Sequence, residues 1–88
     1  MTNLSDDKTD LEKSRDVISQ LKEMRHYSKA NIETLTKLWL LLDGEMNQKE
    51  TATKIEALLP LQNAFHDALE AVVSAYEIEC NRIENEAS

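Results

Sequence analysis

The chain has 88 residues, a net charge of −7, and a content of 41% hydrophobic and 31% charged residues. A single domain of this length is close to the lower limit for a self-supporting hydrophobic core, and the composition argues against wholesale disorder. The negative charge argues against direct binding to nucleic acid or to an anionic membrane surface. A basic protein remains a suitable class of partner.

The sequence also predicts an all-α fold and a cytoplasmic location. Gly44 is the only glycine and Pro60 the only proline, so the backbone has few places to turn. The longest apolar run, 38–42, is too short to span a membrane, and residues 1–7 lack the features of a signal peptide. Cys80 is the only cysteine, so an internal disulfide is excluded.

The first predicted helix covers residues 10–43. Residues 1–8 are polar and are expected to be frayed, whereas Thr9 and Glu12 match a capping box that starts a helix. An apolar stripe with three-four spacing follows. Its members are Val17, Leu21, Met24, Leu35, Leu38 and Leu42, widened by Ile18, Ile32 and Trp39.

A turn is predicted at Asp43-Gly44-Glu45-Met46, because glycine tolerates the left-handed conformation that ends many helices. Asn47 is the expected N-cap of a second helix over 48–85. Its stripe comprises Ile55, Leu58, Phe65, Leu69, Val72, Tyr76 and Ile83. Pro60 removes one backbone donor, so the helix is kinked or broken there. The stripe keeps its phase across Pro60, which favours the kink.

These elements predict a long antiparallel helical hairpin, one domain over 9–88, with Leu38 and Leu69 in its core. An isolated pair of helices exposes too much apolar surface to be stable alone. We therefore expect a homodimer in which two hairpins form a four-helix bundle.

The stripe of the first helix has a polar gap at Arg25, Ser28 and Asn31. One interpretation is a polar layer that fixes the register of the two helices, or a stripe that rotates at this point. The other interpretation is a contact with a partner or ligand. Both stay open at the level of sequence.

Charge is divided unevenly between the two predicted helices. Residues 11–42 sum to +2 and residues 55–88 to −6. Glu70, Glu77 and Glu84 repeat every seven residues and so share one helix face. That face can serve solubility, pair with Lys13, Lys22 and their neighbours on the first helix, or bind a basic partner.

The candidate chemical sites are weak. Glu23 and His26 have the spacing of a di-iron ligand pair, but such sites need a second pair and two more glutamates. His66 and Glu70 lie one turn apart and are expected to form a surface pair. Cys80 is expected to be a small buried residue. We therefore predict no catalytic residues, no metal and no cofactor.

The sequence best predicts a small, acidic helical interaction protein: an adaptor, inhibitor or regulator that acts through its helix faces. An acidic decoy that mimics nucleic acid, or an immunity-type inhibitor of a basic protein, is the alternative. Secreted hairpins of the WXG100 family are similar in length, acidity and a tryptophan near the turn. Here, however, four residues separate Trp39 from Gly44 instead of one, and Cys80 replaces the acid of their C-terminal signal.

Overall fold

The computed structural model describes residues 9–87 and shows an all-helical hairpin over that range. Helix α1 covers Asp10–Asp43, α2 covers Lys49–Glu56 and α3 covers Leu58–Ala87. The molecule is elongated, with extents of 60 × 27 × 16 Å. Arg15 contacts Glu84 and Ser28 contacts Gln62, so α1 and α3 run antiparallel. The frayed segment predicted for residues 1–8 lies outside the described residues.

Helix α1 begins with the predicted capping box. The Thr9 hydroxyl oxygen accepts a hydrogen bond from the Glu12 backbone N–H at 3.1 Å, and the Glu12 carboxylate accepts one from the Thr9 N–H at 2.9 Å. Two donors that the helix itself cannot satisfy are thereby paired. The prediction of this boundary is confirmed.

The turn lies where it was predicted, but the roles of its residues differ. Gly44 has φ −95°, and the left-handed residue is Asn47 with φ 50°. Glycine fits position 44 well because an added Cβ would lie 3.0 Å from the Leu40 carbonyl oxygen, which is a tight contact. The N-cap of α2 is Gln48, whose side chain makes no capping hydrogen bond, and not Asn47.

The helix predicted over 48–85 is interrupted on the N-terminal side of Pro60. α2 ends at Glu56, Ala57 is the single residue between the two helices, and Pro60 is the third residue of α3. Proline has no N–H for the carbonyl four residues earlier, which here belongs to Glu56, so regular hydrogen bonding stops at that point. Ala57 keeps φ −65° and ψ −19°, so α2 leads into α3 without a loop.

The helices meet along an inner seam that is displaced from the predicted stripes. The seam consists of buried or half-buried residues with three-four spacing. In α1 they are Leu11, Ser14, Ile18, Leu21, Arg25, Ser28, Ile32, Leu35, Trp39 and Leu42, and in α3 they are Leu59, Gln62, His66, Leu69, Val73, Tyr76 and Cys80. Leu69 is buried, as predicted, whereas Leu38 is 41% exposed and its assignment to the core was wrong.

The buried core is small. Among the described residues, the buried hydrophobic side chains are Ile18, Ala52, Leu69, Val73 and Cys80. Ile18, Val73 and Cys80 form one cluster, with Leu11, Leu21 and Tyr76 packed against it. Cys80 is fully buried as a free thiol, which confirms its predicted role. Ala52 is buried as well, in α2.

Candidate functional site

The six residues predicted as partner contacts do not form one site. Glu70, Glu77 and Glu84 lie along one side of the hairpin, where they face cationic or imidazole groups. Arg25 and Ser28 belong to the inner seam. Asn31 is exposed and lines a groove together with Leu58 and Phe65. The interface therefore has to be considered as two edges and the polar seam between them.

One edge of the hairpin is charged and is held together across the two helices. We call it the charged edge and define it by Arg15, Lys22 and Lys29 on α1 and Glu70, Glu77 and Glu84 on α3. Arg15 Nη2 lies 2.9 Å from Glu84 Oε1, and Lys22 Nζ lies 2.6 Å from Glu77 Oε2. Both pairs follow the seven-residue repeat, because each step of seven along α1 matches a step of seven back along α3.

The electrostatics of this edge are those of intramolecular pairing. The hydrogen bond from Lys22 lowers the pKa of Glu77, and the charges of Lys22, Arg25 and Arg15 act in the same direction. Two of the three glutamates proposed as a partner surface are therefore engaged by α1, with Arg15 and Lys22 as partners and not Lys13. Whether a partner also binds there stays a prediction.

The third glutamate ends a polar chain that starts inside the seam. Gln62 Nε2 donates to Ser28 Oγ at 3.0 Å, His66 Nδ1 lies 3.2 Å from the same oxygen, and His66 Nε2 lies 3.1 Å from Glu70 Oε1. In the tautomer whose Nε2–H donates to the carboxylate, Nδ1 accepts a hydrogen bond from the Ser28 hydroxyl. Ser28 is only 1% exposed, so these partners satisfy a buried hydroxyl.

This chain supports the interpretation of Ser28 as part of a polar layer. The layer ties one turn of α1 to two turns of α3, and a shift of register would leave the buried hydroxyl without partners. A second cross-helix bond, from Tyr76 Oη to Ser14 Oγ at 2.7 Å, lies further along the same seam. His66 and Glu70 form the predicted pair, but it is not wholly a surface pair, because the His66 side chain is only 17% exposed.

Next to the polar layer, the charged edge opens into a cleft of about 430 Å³. We call it the basic cleft, and its lining residues are Lys22, Arg25, His26, Lys29, His66 and Glu70. Five of these six side chains are cationic or imidazole groups. This is an unusual concentration of basic groups for a chain of net charge −7.

The opposite edge is apolar and carries no comparable pairing. We call it the apolar edge and define it by Val17, Met24 and Leu38 on α1 and Leu58, Phe65 and Val72 on α3. Each of these six side chains is 41–50% exposed. Where the edge passes Asn31, a groove of about 340 Å³ opens, with Leu35, Leu58, Leu61 and Phe65 among its lining residues.

The remaining described surface shows no separate chemical site. Arg82 binds Glu79 and Glu86 on its own helix, and these bonds raise its pKa and lower the pKa of Glu79. Within residues 9–87 there is no group of three histidine, cysteine or acidic residues placed to hold a metal ion. No helix in that range has the length and apolar character needed to cross a bilayer.

Comparison with known proteins adds no relative. The chain matches no protein-family model, and no curated protein or solved structure matches it either. Function must therefore be argued from the two edges and the cleft.

Sequence reasoning found part of this arrangement. From spacing along one helix, it found the shared face of Glu70, Glu77 and Glu84 and the pair of His66 with Glu70. Pairing of that face with basic residues of the first helix was one of three uses that it left open. It missed Gln62 as a partner of Ser28 and the convergence of His66 with Arg25 and Lys29. Those contacts cross between helices, and the only signal for them was the polar gap at Arg25 and Ser28.

Proposed function

We propose that the protein is a small helical interaction protein, an adaptor, inhibitor or regulator that acts through its helix faces without catalysis. We propose further that a second copy covers the apolar edge and completes a four-helix bundle. The observation that carries the proposal is the difference between the two edges. One is cross-linked by ion pairs within the hairpin, and the other exposes six large apolar side chains.

The shape supports the need for a second layer. The smallest extent of the molecule is 16 Å, so the hairpin is a single layer of helices. Stable domains are usually built from at least two packed layers around one core. A second hairpin laid against the apolar edge would supply that layer and would enlarge the small core.

The chemistry of the apolar edge favours a copy of the same chain as the occupant. Steps of seven residues along the edge meet no charged side chain from Val17 to Leu38 in α1 or from Leu58 to Val72 in α3. The first charges beyond these limits are Asp10, Glu45 and Glu79. Two copies related by a two-fold axis can therefore bury this edge without burying like charges together. Ala68 and Ala75 are exposed beside Phe65 and Val72, and their small side chains permit close approach of a helix.

The faces left free by such a dimer are the surfaces offered to other proteins. They include Tyr27 and Ile78, which are 64% and 66% exposed. The cytoplasm is the proposed setting, because the only cysteine of the chain is a free thiol in the core and needs no oxidising compartment.

The dimer is tested by comparing two charge insertions on α3. Val72→Glu places a charge on the apolar edge, whereas Ile78→Glu places the same charge on the outer face. Both side chains are at least half exposed, Val72 to 50% and Ile78 to 66%. In light scattering at micromolar concentration, the wild type and Ile78→Glu should have twice the chain mass, and Val72→Glu should not. Circular dichroism shows whether the Val72 variant stays helical.

A wild-type monomer that unfolds cooperatively would overturn the dimer, since the apolar edge would then be tolerated in water. Equal association of both variants would place the contact elsewhere. Loss of helix in Val72→Glu alone, with Ile78→Glu dimeric and folded, would still support the proposal, because it would show that folding depends on the covered edge.

A further inference from the structure

We propose that the basic cleft is a binding site for a phosphate group, carried either by free inorganic phosphate or by a small phosphate monoester. The site is built around Arg25 and Lys29 of α1. It lies on the charged edge, so a partner copy bound to the apolar edge would leave it open.

The first observation is an interruption in the ion pairs of the charged edge. Arg15 binds Glu84 and Lys22 binds Glu77, and the next step of seven residues on each helix leads to Lys29 and Glu70. That third pair is not formed, because Glu70 binds Nε2 of His66 instead. Within the described part of the chain, Lys29 has no carboxylate partner.

The second observation is the position of Arg25. Its side chain is half-buried on the inner seam, where the neighbouring positions are Leu21 and the buried Ser28. Its guanidinium makes no hydrogen bond or ion pair with any residue of the range 9–87, and its influence on Glu77 is through charge alone. A half-buried arginine whose guanidinium has no acidic partner leaves its N–H donors available to an anion in the cleft that it lines.

The third observation is the positioning of His66 by its neighbours. Its two ring nitrogens face Ser28 and Glu70, and its side chain is 17% exposed, so the ring is held at the wall of the cleft. Because Glu70 is held by His66, the one carboxylate of the cleft is kept on the α3 side. Arg25, His26 and Lys29 are left to face the opening from α1.

These groups match the chemistry of phosphate better than that of other anions. A guanidinium offers two parallel N–H donors to two oxygens of one anion, and an ammonium adds a point charge with adaptable direction. The cleft of about 430 Å³ lies within the range of small-molecule pockets. A tetrahedral dianion with several acceptor oxygens can therefore use Arg25, Lys29 and His26 together.

The test is a titration of the full-length chain with inorganic phosphate, followed by amide chemical shifts at constant ionic strength set with chloride. We expect saturable shifts concentrated at residues 22–29 and 66–70. Arg25→Gln and Lys29→Gln should each weaken binding by about tenfold, the effect of losing one charge-assisted hydrogen bond. Arg82→Gln is the matched control, because Arg82 binds only Glu79 and Glu86 in the described structure, and it should leave binding unchanged.

A second titration with glycerol phosphate distinguishes the two sources. Tighter binding of the monoester identifies an organic phosphate as the ligand, and equal or weaker binding identifies free phosphate. Shifts that grow linearly without saturation, or that persist unchanged in Lys29→Gln, would overturn the site. Lys29 is exposed, so that variant folds normally even if a change at the half-buried Arg25 disturbs the seam.

Discussion

At the scale of single residues, the position of a side chain relative to the inner seam decides its contribution. Leu38 and Leu69 are both leucines in regular helix, yet Leu69 is 6% exposed and Leu38 is 41% exposed. Ser28 is the opposite case, because this polar residue is 1% exposed although it lies in the polar gap of the apolar stripe. The seam is therefore defined by contacts across the hairpin and not by hydrophobicity along one helix.

The first residue-scale prediction concerns Leu69→Ala. Removing a buried leucine side chain leaves a cavity, so the free energy of unfolding should fall by about 2–5 kcal/mol. The measurement is urea denaturation followed by circular dichroism. Leu38→Ala is the comparison, because it removes the same atoms from a half-exposed position on the apolar edge.

The two variants should also differ in how they respond to concentration. A loss at Leu38 that appears only where the chain associates would indicate that Leu38 is covered by a second copy. A loss at Leu69 below about 0.5 kcal/mol, under any condition, would contradict the assignment of that residue to a well-packed core.

At the scale of elements, the start of α1 and the location of the turn were predictable because local chemistry determines them. Thr9 and Glu12 satisfy each other within four residues, and the Leu40 carbonyl oxygen lies close enough to Gly44 to favour a residue without a Cβ. The sequence predicted an interruption near Pro60 but did not predict that it would fall at Ala57. Proline disturbs the hydrogen bond to the carbonyl four residues earlier, which moves the break toward the N-terminus.

The faces of the helices were harder to predict, for a physical reason. Val17, Met24 and Leu38 lie beside the seam on the apolar edge, so the centre of the apolar pattern falls between the seam and that edge. The pattern therefore placed Arg25 and Ser28 in a gap, whereas they occupy regular seam positions. Hydrophobic spacing records every apolar face of a helix, and only the register of the partner helix shows which face is inside.

The element-scale prediction concerns the ion pair of Lys22 and Glu77 on the charged edge. Because the pKa of Glu77 is lowered in the folded state, the pair stabilises the hairpin at pH values above the unfolded pKa near 4.5. That contribution is lost as the pH falls through the lowered folded value. Lys22→Met should therefore melt below the wild type at pH 7, and the difference should shrink toward pH 3.

The matched control is Lys37→Met, which removes a lysine from an exposed position of the same helix. Its melting temperature relative to the wild type should change little between pH 7 and pH 3. A difference for Lys22→Met that stays constant across this range would show that the lysine acts through its aliphatic stem and not through Glu77.

At the scale of the whole molecule, charge and apolar surface are separated onto opposite edges of one thin layer. The ion pairs of the charged edge use acidic groups that the decoy hypothesis requires for a basic partner. Arg15 and Lys22 would have to be displaced, or shared, before Glu84 and Glu77 could bind such a protein. The apolar edge needs no such displacement. This contrast favours contacts through apolar helix faces over electrostatic mimicry of nucleic acid.

The two functions make opposite predictions for a captured partner. The tagged chain is used to capture proteins from the extract of its native host, and the complexes are washed with increasing salt. Under our proposal, the partner should remain bound at high salt, because screening weakens exposed charge pairs but not apolar contacts.

A variant with Glu70, Glu77 and Glu84 all changed to Gln should bind with less than about a twofold loss and melt at a lower temperature. The control changes Glu23, Glu33 and Glu56 to Gln, which alters the net charge equally at exposed positions. A loss well over tenfold for the first variant only, with steep release by salt, would establish the acidic decoy and refute contact through the apolar faces.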